Sequence, residues 1–248
     1  MTVLRRLLSG LFPEQSRPSP PLPRLERPIC LIGDIHGRLD LLDQLLAELK
    51  TRPPAQLIFA GDYIDRGPES AGVIARLMAL APAICLMGNH ERMLLDFLDQ
   101  PAIAGERWLR NGGAETVASL RILGRLPGET AAARMEGLVS RVREKLPEGA
   151  EDWLRGLPLW WREGGLGVVH AGADPGLALE DQTEQVLLWG HRDFGQPRPD
   201  GLWIGHGHVI VKEARAEGGR ISVDTGAWAT GRLTGAWIEG GEVRFLQT

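Results

Sequence analysis

Gly33-Asp34-Ile35-His36-Gly37, Gly61-Asp62-Tyr63-Ile64-Asp65-Arg66-Gly67 and Gly88-Asn89-His90-Glu91 are the three short blocks that decide the fold of this 248-residue chain. Each follows a β-type run: Ile29-Cys30-Leu31-Ile32, Leu57-Ile58-Phe59-Ala60 and Ala83-Ile84-Cys85-Leu86-Met87. Each is followed by a helical pattern. Leu39, Leu42, Leu45, Leu46 and Leu49 line one face of a helix that Pro53-Pro54 ends, and Val73, Ile74, Leu77 and Leu80 mark a second. This strand–loop–helix repeat predicts a parallel βαβαβ half whose carboxyl edge gathers the loops, where open α/β proteins build their sites. A carboxylate, an imidazole and an amide oxygen converging there, with glycines allowing close approach, suit a metal pair.

Outward from this half, residues 92 to about 160 read as a mostly helical insertion closing on Leu157-Pro158-Leu159-Trp160-Trp161. Strand patterns return at Leu166-Gly167-Val168-Val169, Leu202-Trp203-Ile204 and Ile221-Ser222-Val223. A terminal hairpin pairs residues 233–238 with 243–246 across Gly240-Gly241, a two-glycine turn of the type hairpins prefer. The expected fold class is α/β, with two mixed sheets packed as a sandwich and helices flanking them.

Residues 1–27 read differently, as a tether ahead of a catalytic domain spanning 28–248. Six of the 17 prolines lie between Pro13 and Pro28, which blocks regular structure. Before them Val3, Leu4, Leu7, Leu8, Leu11 and Phe12 recur at helical spacing. Five arginines against Glu14 and Glu26 give this stretch a charge of +3, so a contact with a membrane surface or a partner is one reading, docking on the domain another. The whole chain carries −4, which gives no basic footprint for duplex nucleic acid. No apolar run reaches the roughly 20 residues of a membrane span. Cys30 and Cys85 fall in buried strands and read as free thiols of a reducing, cytoplasmic compartment.

Five blocks together carry a resemblance: the three above, His170-Ala171-Gly172, and Gly207-His208. Over about residues 28–239 the chain resembles the phosphoprotein-phosphatase family of metallophosphoesterases, which includes bacterial Ser/Thr protein phosphatases and symmetrical diadenosine-tetraphosphate hydrolases. The resemblance implies the metallophosphoesterase fold and two divalent transition metals. By position it implies Asp34 and His36 as ligands of the first metal, Asp62 as the bridging carboxylate, and Asn89, His170 and His208 as ligands of the second. Mixed nitrogen and oxygen donors without thiolate favour Mn, Fe or Zn, with Mn expected to serve best. The Gly205-His206-Gly207-His208 stretch holds two histidines, and a register slip of two residues would exchange their roles. His90 resembles the family's general acid, Asp65 its orienting carboxylate, and Arg66 a phosphoryl-binding cation.

Two segments depart from the pattern or leave it open. Where the family reads Leu-Leu-Trp-x-Arg, this chain has Leu187-Leu188-Trp189-Gly190-His191-Arg192, one position late; a shifted loop would bring Arg192 to the phosphate, and otherwise His191 substitutes. Asn111-Gly112-Gly113, within a segment similar to the bacterial subgroup, is expected either to form a backbone nest for substrate oxygens or to end a helix. Asp224-Thr225-Gly226-Ala227-Trp228 reads as scaffold at the sheet end, with a supporting part for Asp224.

The implied activity is hydrolysis of phosphate esters by attack of a metal-bridging hydroxide, with a phosphorylated protein or a nucleotide as substrate. A Ser/Thr phosphoprotein phosphatase leads. The alternative is a symmetrical bis(5′-nucleosyl)-tetraphosphatase or an RNA-decapping type of pyrophosphohydrolase, the last needing a basic lip from Arg107, Arg110, Arg121, Arg125, Arg141 and Arg143. A silent binding module would lack a bridging ligand or the acid, yet Asp62, Asn89 and His90 are all present.

Overall fold

The computed structural model describes residues 20–122, 124 and 128–248, so the leucine stripe at the start of the chain and Arg125 lie outside the described residues. Strand β1 (Ile29–Ile32) alternates its side chains between two cores: Ile29 and Leu31 point between the sheets, while Cys30 and Ile32 point to the helices. With both faces covered, the strand reads as a continuous apolar run, as in parallel sheets. It pairs in parallel with β2 (Gln56–Phe59), which pairs in parallel with β3 (Ile84–Cys85). Helix α1 (Leu39–Leu49) and helix α2 (Ser70–Met78) make the crossovers, burying Leu42, Leu45 and Leu46, and Val73, Ile74 and Leu77.

The insertion is helical as expected: α3 (Asn89–Asp99), α4 (Pro101–Trp108), a widened turn at Leu109–Gly113, α5 (Ala114–Ser119), α6 (Ala131–Lys145) and α7 (Ala150–Arg155). Its end differs from the sequence reading. Trp160–Glu163 is not the close of the insertion but a strand, β4, antiparallel to β5 (Leu166–Val169). Trp161 packs into the core between the sheets and Trp160 into the core beyond, so both faces are aromatic and no alternation marks the strand.

After α8 (Glu184–Trp189), β6 (Trp203–His206) joins β5 in parallel. Strands β7 (Arg215–Glu217) and β8 (Arg220–Ser222), the short helix α9 (Ala227–Thr230), and β9 (Thr234–Glu239) with β10 (Glu242–Gln247) complete the chain. One sheet runs β10-β9-β1-β2-β3 and the other β4-β5-β6-β8-β7, both mixed. Leu166, Val168, Trp203 and Ile221 from the second sheet meet Ile29, Leu31, Ile58 and Ile238 from the first. This is the sandwich the sequence predicts, and it aligns the carboxyl ends of β1, β2, β3, β5 and β6. Among the described residues, no helix is long and apolar enough to cross a membrane.

The packed body includes residues 20–27, which the sequence assigns to the tether. Leu22 and Leu25 pack against the inter-sheet core, and the Trp203 indole N–H donates to the Pro20 and Pro21 carbonyls at 3.2 and 3.0 Å. Prolines that cannot donate to a ladder still offer carbonyls and apolar rings. Replacing both Leu22 and Leu25 by Ala is therefore expected to cost about 1–3 kcal/mol, given partial burial, and to lower Tm by roughly 3–9 °C in calorimetry. An unchanged Tm would show that this segment only rests on the surface.

Candidate active site

The loops after β1 and β2 are fastened to one another: the Ile35 and His36 amides both donate to the Asp62 carbonyl, at 3.0 and 2.9 Å. Six non-glycine residues among those described have a left-handed backbone, and five lie in the loops of this edge: His36, Asp62, Asp65, Arg66 and His208. Such conformations cost of order 1–3 kcal/mol each and persist only where the surroundings enforce them. Glu91 supplies much of that enforcement. Its carboxylate accepts the Asp62, Tyr63 and Gly88 amides at 2.8, 2.8 and 3.0 Å.

At the centre stands Asp62. Its Oδ2 lies 3.5 Å from His36 Nε2 and 3.8 Å from His90 Nε2, while its Oδ1 lies 3.4 Å from His170 Nε2. Two groups of converging donor atoms result, His36–Asp62–His90 and Asp62–His170–His208, with Asp62 common to both. Asn89 joins the second group, its Oδ1 2.8 Å from His170 Nε2 and 2.9 Å from His208 Nδ1. One carboxylate offering an oxygen to each side is what a pair of divalent ions about 3.5–4 Å apart requires.

Protonation suits the same use. His36 Nδ1 donates to the Ile64 carbonyl at 2.8 Å and His170 Nδ1 to the Ala60 carbonyl at 2.9 Å, which leaves each Nε2 lone pair facing the cluster. Burial holds these rings neutral: His36 is pushed down to about 3, His208 down to about 4, and His170 also below its ordinary value. Burial opposes ionisation of Asp62 too, but the surrounding imidazoles, His170, His90 and His36, outweigh it and lower its pKa, His90 being the one of the three held protonated. Around it burial and mutual repulsion raise Asp34, lift Glu91 to about 8 and lift Asp224 to about 6. Buried acids that repel one another beside neutral imidazoles form a donor set short of positive charge, and divalent ions fit it.

Asp34 stands beside the two groups rather than in either. Both its oxygens accept the His208 amide, at 3.1 and 3.0 Å, and the charge of Asp224 adds to burial in raising its pKa. Gly207 permits this approach, because a Cβ there would collide with Asp34 Oδ1. Of the two adjacent histidines, the structure brings His208 to the cluster. His206 is turned away, its Nδ1 beside the Gly207 carbonyl and its Nε2 2.9 Å from Ser222 Oγ.

The acid pair is buried and close: His90 Nδ1 and Asp65 Oδ2 are 2.7 Å apart. Burial lowers the His90 pKa, yet Asp62 and Asp65 overcome it and raise the pKa on balance, so the ring is held in its proton-donating form. Sequence reasoning missed what holds Asp65. Trp108 Nε1 and Thr116 Oγ1 both donate to Asp65 Oδ1, at 3.1 and 2.7 Å. These residues bracket Asn111-Gly112-Gly113, which forms the turn between α4 and α5, one of the two readings its sequence allows, and holds the Arg66 loop. Gly112 gives its carbonyl to the Arg66 amide at 3.1 Å, and a Cβ on it would press within 2.7 Å of the Arg66 side chain. Asn111 is exposed and donates to the Arg107 carbonyl at 2.8 Å. Residue types that can donate, at both ends of a glycine turn, were the available signal.

Arg66 Nη1 reaches His36 Nε2 at 3.1 Å, so its guanidinium borders the first group. The structure does not bring Arg192 there. Gly190, in a left-handed conformation, turns the chain outward; the Arg192 side chain is 88% exposed and pairs with Asp193, and His191 lies 3.8 Å from Asp174. Another arginine occupies that flank. Arg107 lies 4.8 Å over the Trp189 ring, which stands edge-on to His208 with centroids 6.3 Å apart. Of the other lip arginines, Arg110 is paired with Glu106 and Arg143 with Glu151.

The calcineurin-like phosphoesterase family model matches residues 27–210. A bis(5′-nucleosyl)-tetraphosphatase PrpE [asymmetrical] of Bacillus velezensis is 31% identical over 235 residues, covering 83% of this chain and 86% of that protein. Serine/threonine-protein phosphatase 2 of Escherichia coli is 41% identical over 88 residues, covering 35% of this chain and 39% of that protein. A cold-active protein-tyrosine phosphatase of a Shewanella species superposes with a TM-score of 0.58 at 15% identity, over 96% of this chain and 84% of that one, a likeness of fold alone.

Thr116→Val keeps the shape at Asp65 and removes the hydroxyl. It is expected to leave metal content unchanged and to lower kcat about tenfold for phenyl phosphate, with a smaller loss for para-nitrophenyl phosphate, whose leaving group needs little protonation. Equal losses on both esters would separate Thr116 from the acid.

Proposed function

We propose that this chain, which belongs to the calcineurin-like phosphoesterase family, is a two-metal hydrolase whose substrate is a nucleoside polyphosphate. Hydrolysis of phosphoester or anhydride bonds follows from the family and from its named relatives. The observation that carries the two-metal reading is Asp62, with one oxygen turned to His36 and the other to His170. The nucleotide reading is supported by the relative that spans most of the chain, a tetraphosphatase, whereas the protein phosphatase aligns over little more than a third.

Asp34, His36 and Asp62 would hold one ion, and Asp62, Asn89, His170 and His208 the other. The nitrogen and oxygen donors favour Mn, with Fe or Zn as alternatives. When bound, the pair supplies Lewis acidity toward a phosphoryl oxygen and a hydroxide nucleophile at neutral pH. The chain's own residues do the rest. Arg66 binds the phosphoryl group from the first side and Arg107 from the second, while His90, aimed by Asp65, gives its proton to the departing oxygen. The two free, buried cysteines support a reducing cytoplasmic compartment.

A second reading has its own support. A phosphate leaving group gains less from protonation than the alkoxide of phosphoserine, whose pKa is far higher, so a buried His90–Asp65 pair suits an ester best. Phosphoprotein hydrolysis is therefore the alternative, on the same metals and residues.

Dialysis against EDTA should abolish turnover of para-nitrophenyl phosphate, and Mn²⁺ should restore it; activity that survives metal removal overturns the two-metal reading. A comparison of kcat/KM for diadenosine tetraphosphate, a phosphoserine peptide and capped RNA then tests the substrate, with the first expected to lead. Arg66→Ala and Arg107→Ala should each lower kcat/KM about one to two decades, as expected for loss of a charge-assisted hydrogen bond of roughly 1.5–3 kcal/mol. Arg192→Ala should fall within threefold of the wild type. A larger Arg192 effect than Arg107 effect would reverse the assignment of the second cation.

A further inference from the structure

Among the described residues, exposed large apolar side chains are few, and most of them gather in one place. Among the described residues they are Ile103, Leu177, Val209, Ile210 and Trp228, and three of the five border the metal-ligand cluster. Val209 and Ile210, 52% and 50% exposed, follow directly after His208. Trp228, 42% exposed, lies on α9, and Ile210 packs against the start of that helix, its side chain 3.3 Å from where a Gly226 Cβ would stand. The Arg66 guanidinium ties this surface to the site. It lies 5.3 Å from the Trp228 ring centroid, while its Nη1 reaches His36 Nε2 at 3.1 Å. One side chain thus spans from the indole face to a candidate metal ligand.

The shelf is fixed from beneath. Asp224 accepts the Gly226 amide at 2.8 Å, and Arg38 donates to the Ala227 carbonyl at 3.0 Å. The Arg66 guanidinium covers one face of this indole, and the exposed remainder of the ring is open to whatever is attached to the phosphate. The exposed side chains that follow His208, Val209 and Ile210, are aliphatic and offer no hydrogen bond to a base edge. The matching ligand is a flat aromatic group carrying phosphate, with stacking on the ring and anionic oxygens toward Arg66 and the cluster.

We propose that Trp228, with Val209 and Ile210, is the nucleobase shelf of the substrate site. This inference rests on the nucleoside-polyphosphate reading above. The shelf binds the base by stacking, without preference for its edge groups, and so accepts adenine and guanine alike.

The test compares substrates with and without a base in the Mn²⁺-loaded enzyme. For Trp228→Ala, the ratio of kcat/KM on diadenosine tetraphosphate to that on inorganic tripolyphosphate should fall about tenfold. Against para-nitrophenyl phosphate turnover, the ratio of Ki for AMP to Ki for inorganic phosphate should rise by a similar factor. Trp228→Phe should retain most of both ratios, and diguanosine tetraphosphate should behave as the adenine compound does. Unchanged ratios in Trp228→Ala, with diadenosine tetraphosphate still a good wild-type substrate, overturn the shelf alone. The same holds if the fall appears on a phosphotyrosine peptide and not on the dinucleotide. A wild-type enzyme that turns over para-nitrophenyl phosphate, ignores diadenosine tetraphosphate and is inhibited no better by AMP than by phosphate overturns the nucleotide reading, and the shelf with it.

Discussion

A charged carboxylate at the meeting of two sheets is the constraint to which the rest of the structure answers. Burying an unpaired carboxylate costs several kcal/mol even after relaxation, and Asp62 is almost fully buried. The three imidazoles of His36, His90 and His170 and the His90 amide, 3.0 Å from Oδ1, are what make its position tolerable. Its backbone must be left-handed to aim the side chain this way, and Glu91 collects the amides of the resulting turn. A residue read only as the end of the Gly-Asn-His-Glu block is therefore the brace of the neighbouring loop.

The loop from Gly61 to Gly67 carries three tasks within five residues. In the proposed mechanism Asp62 would bridge, Asp65 aim the acid and Arg66 meet the phosphate, and each has a separate anchor: Glu91, the Trp108–Thr116 pair, and the Gly112 carbonyl. Glu91 closes the third block itself, while the other anchors come from the helical insertion, which follows the first three blocks in sequence and packs against their loops in space. The insertion thus belongs to the catalytic apparatus as well as to the wall of the groove.

How much of this the sequence disclosed depends on which periodicity each residue obeys. Strands β1 and β5 were legible to the residue, since continuous apolar runs flanked by glycine can do little else. The terminal hairpin was legible from its two glycines. Strand β4 was hidden because tryptophans cover both faces, and residues 20–27 because prolines suggest solvent even when their carbonyls and rings are in use. At the site, residue identity pointed to the cluster, yet the late arginine could not be placed. The outward turn at Gly190 and the stacking of Arg107 on Trp189 are facts of tertiary packing that no local pattern records. Between His206 and His208 the family pattern pointed to His208, and the structure brings that residue to the cluster while Ser222 on a neighbouring strand holds His206 aside.

The second group of ligands is drawn from both halves of the sandwich. Asn89 follows β3 of one sheet, while His170 and His208 follow β5 and β6 of the other. An ion held there acts as a rivet across the layers at their upper rim, where the inter-sheet core ends. Because binding to the native state alone stabilises it by mass action, the ion's grip and the closeness of the sheets become a single property. Warmth that lets the rim breathe would loosen the ion before the core melts, and the enzyme's heat tolerance would then vary with the metal in its buffer. For such a protein, working temperature would be set at the mouth of the sandwich and not in its interior.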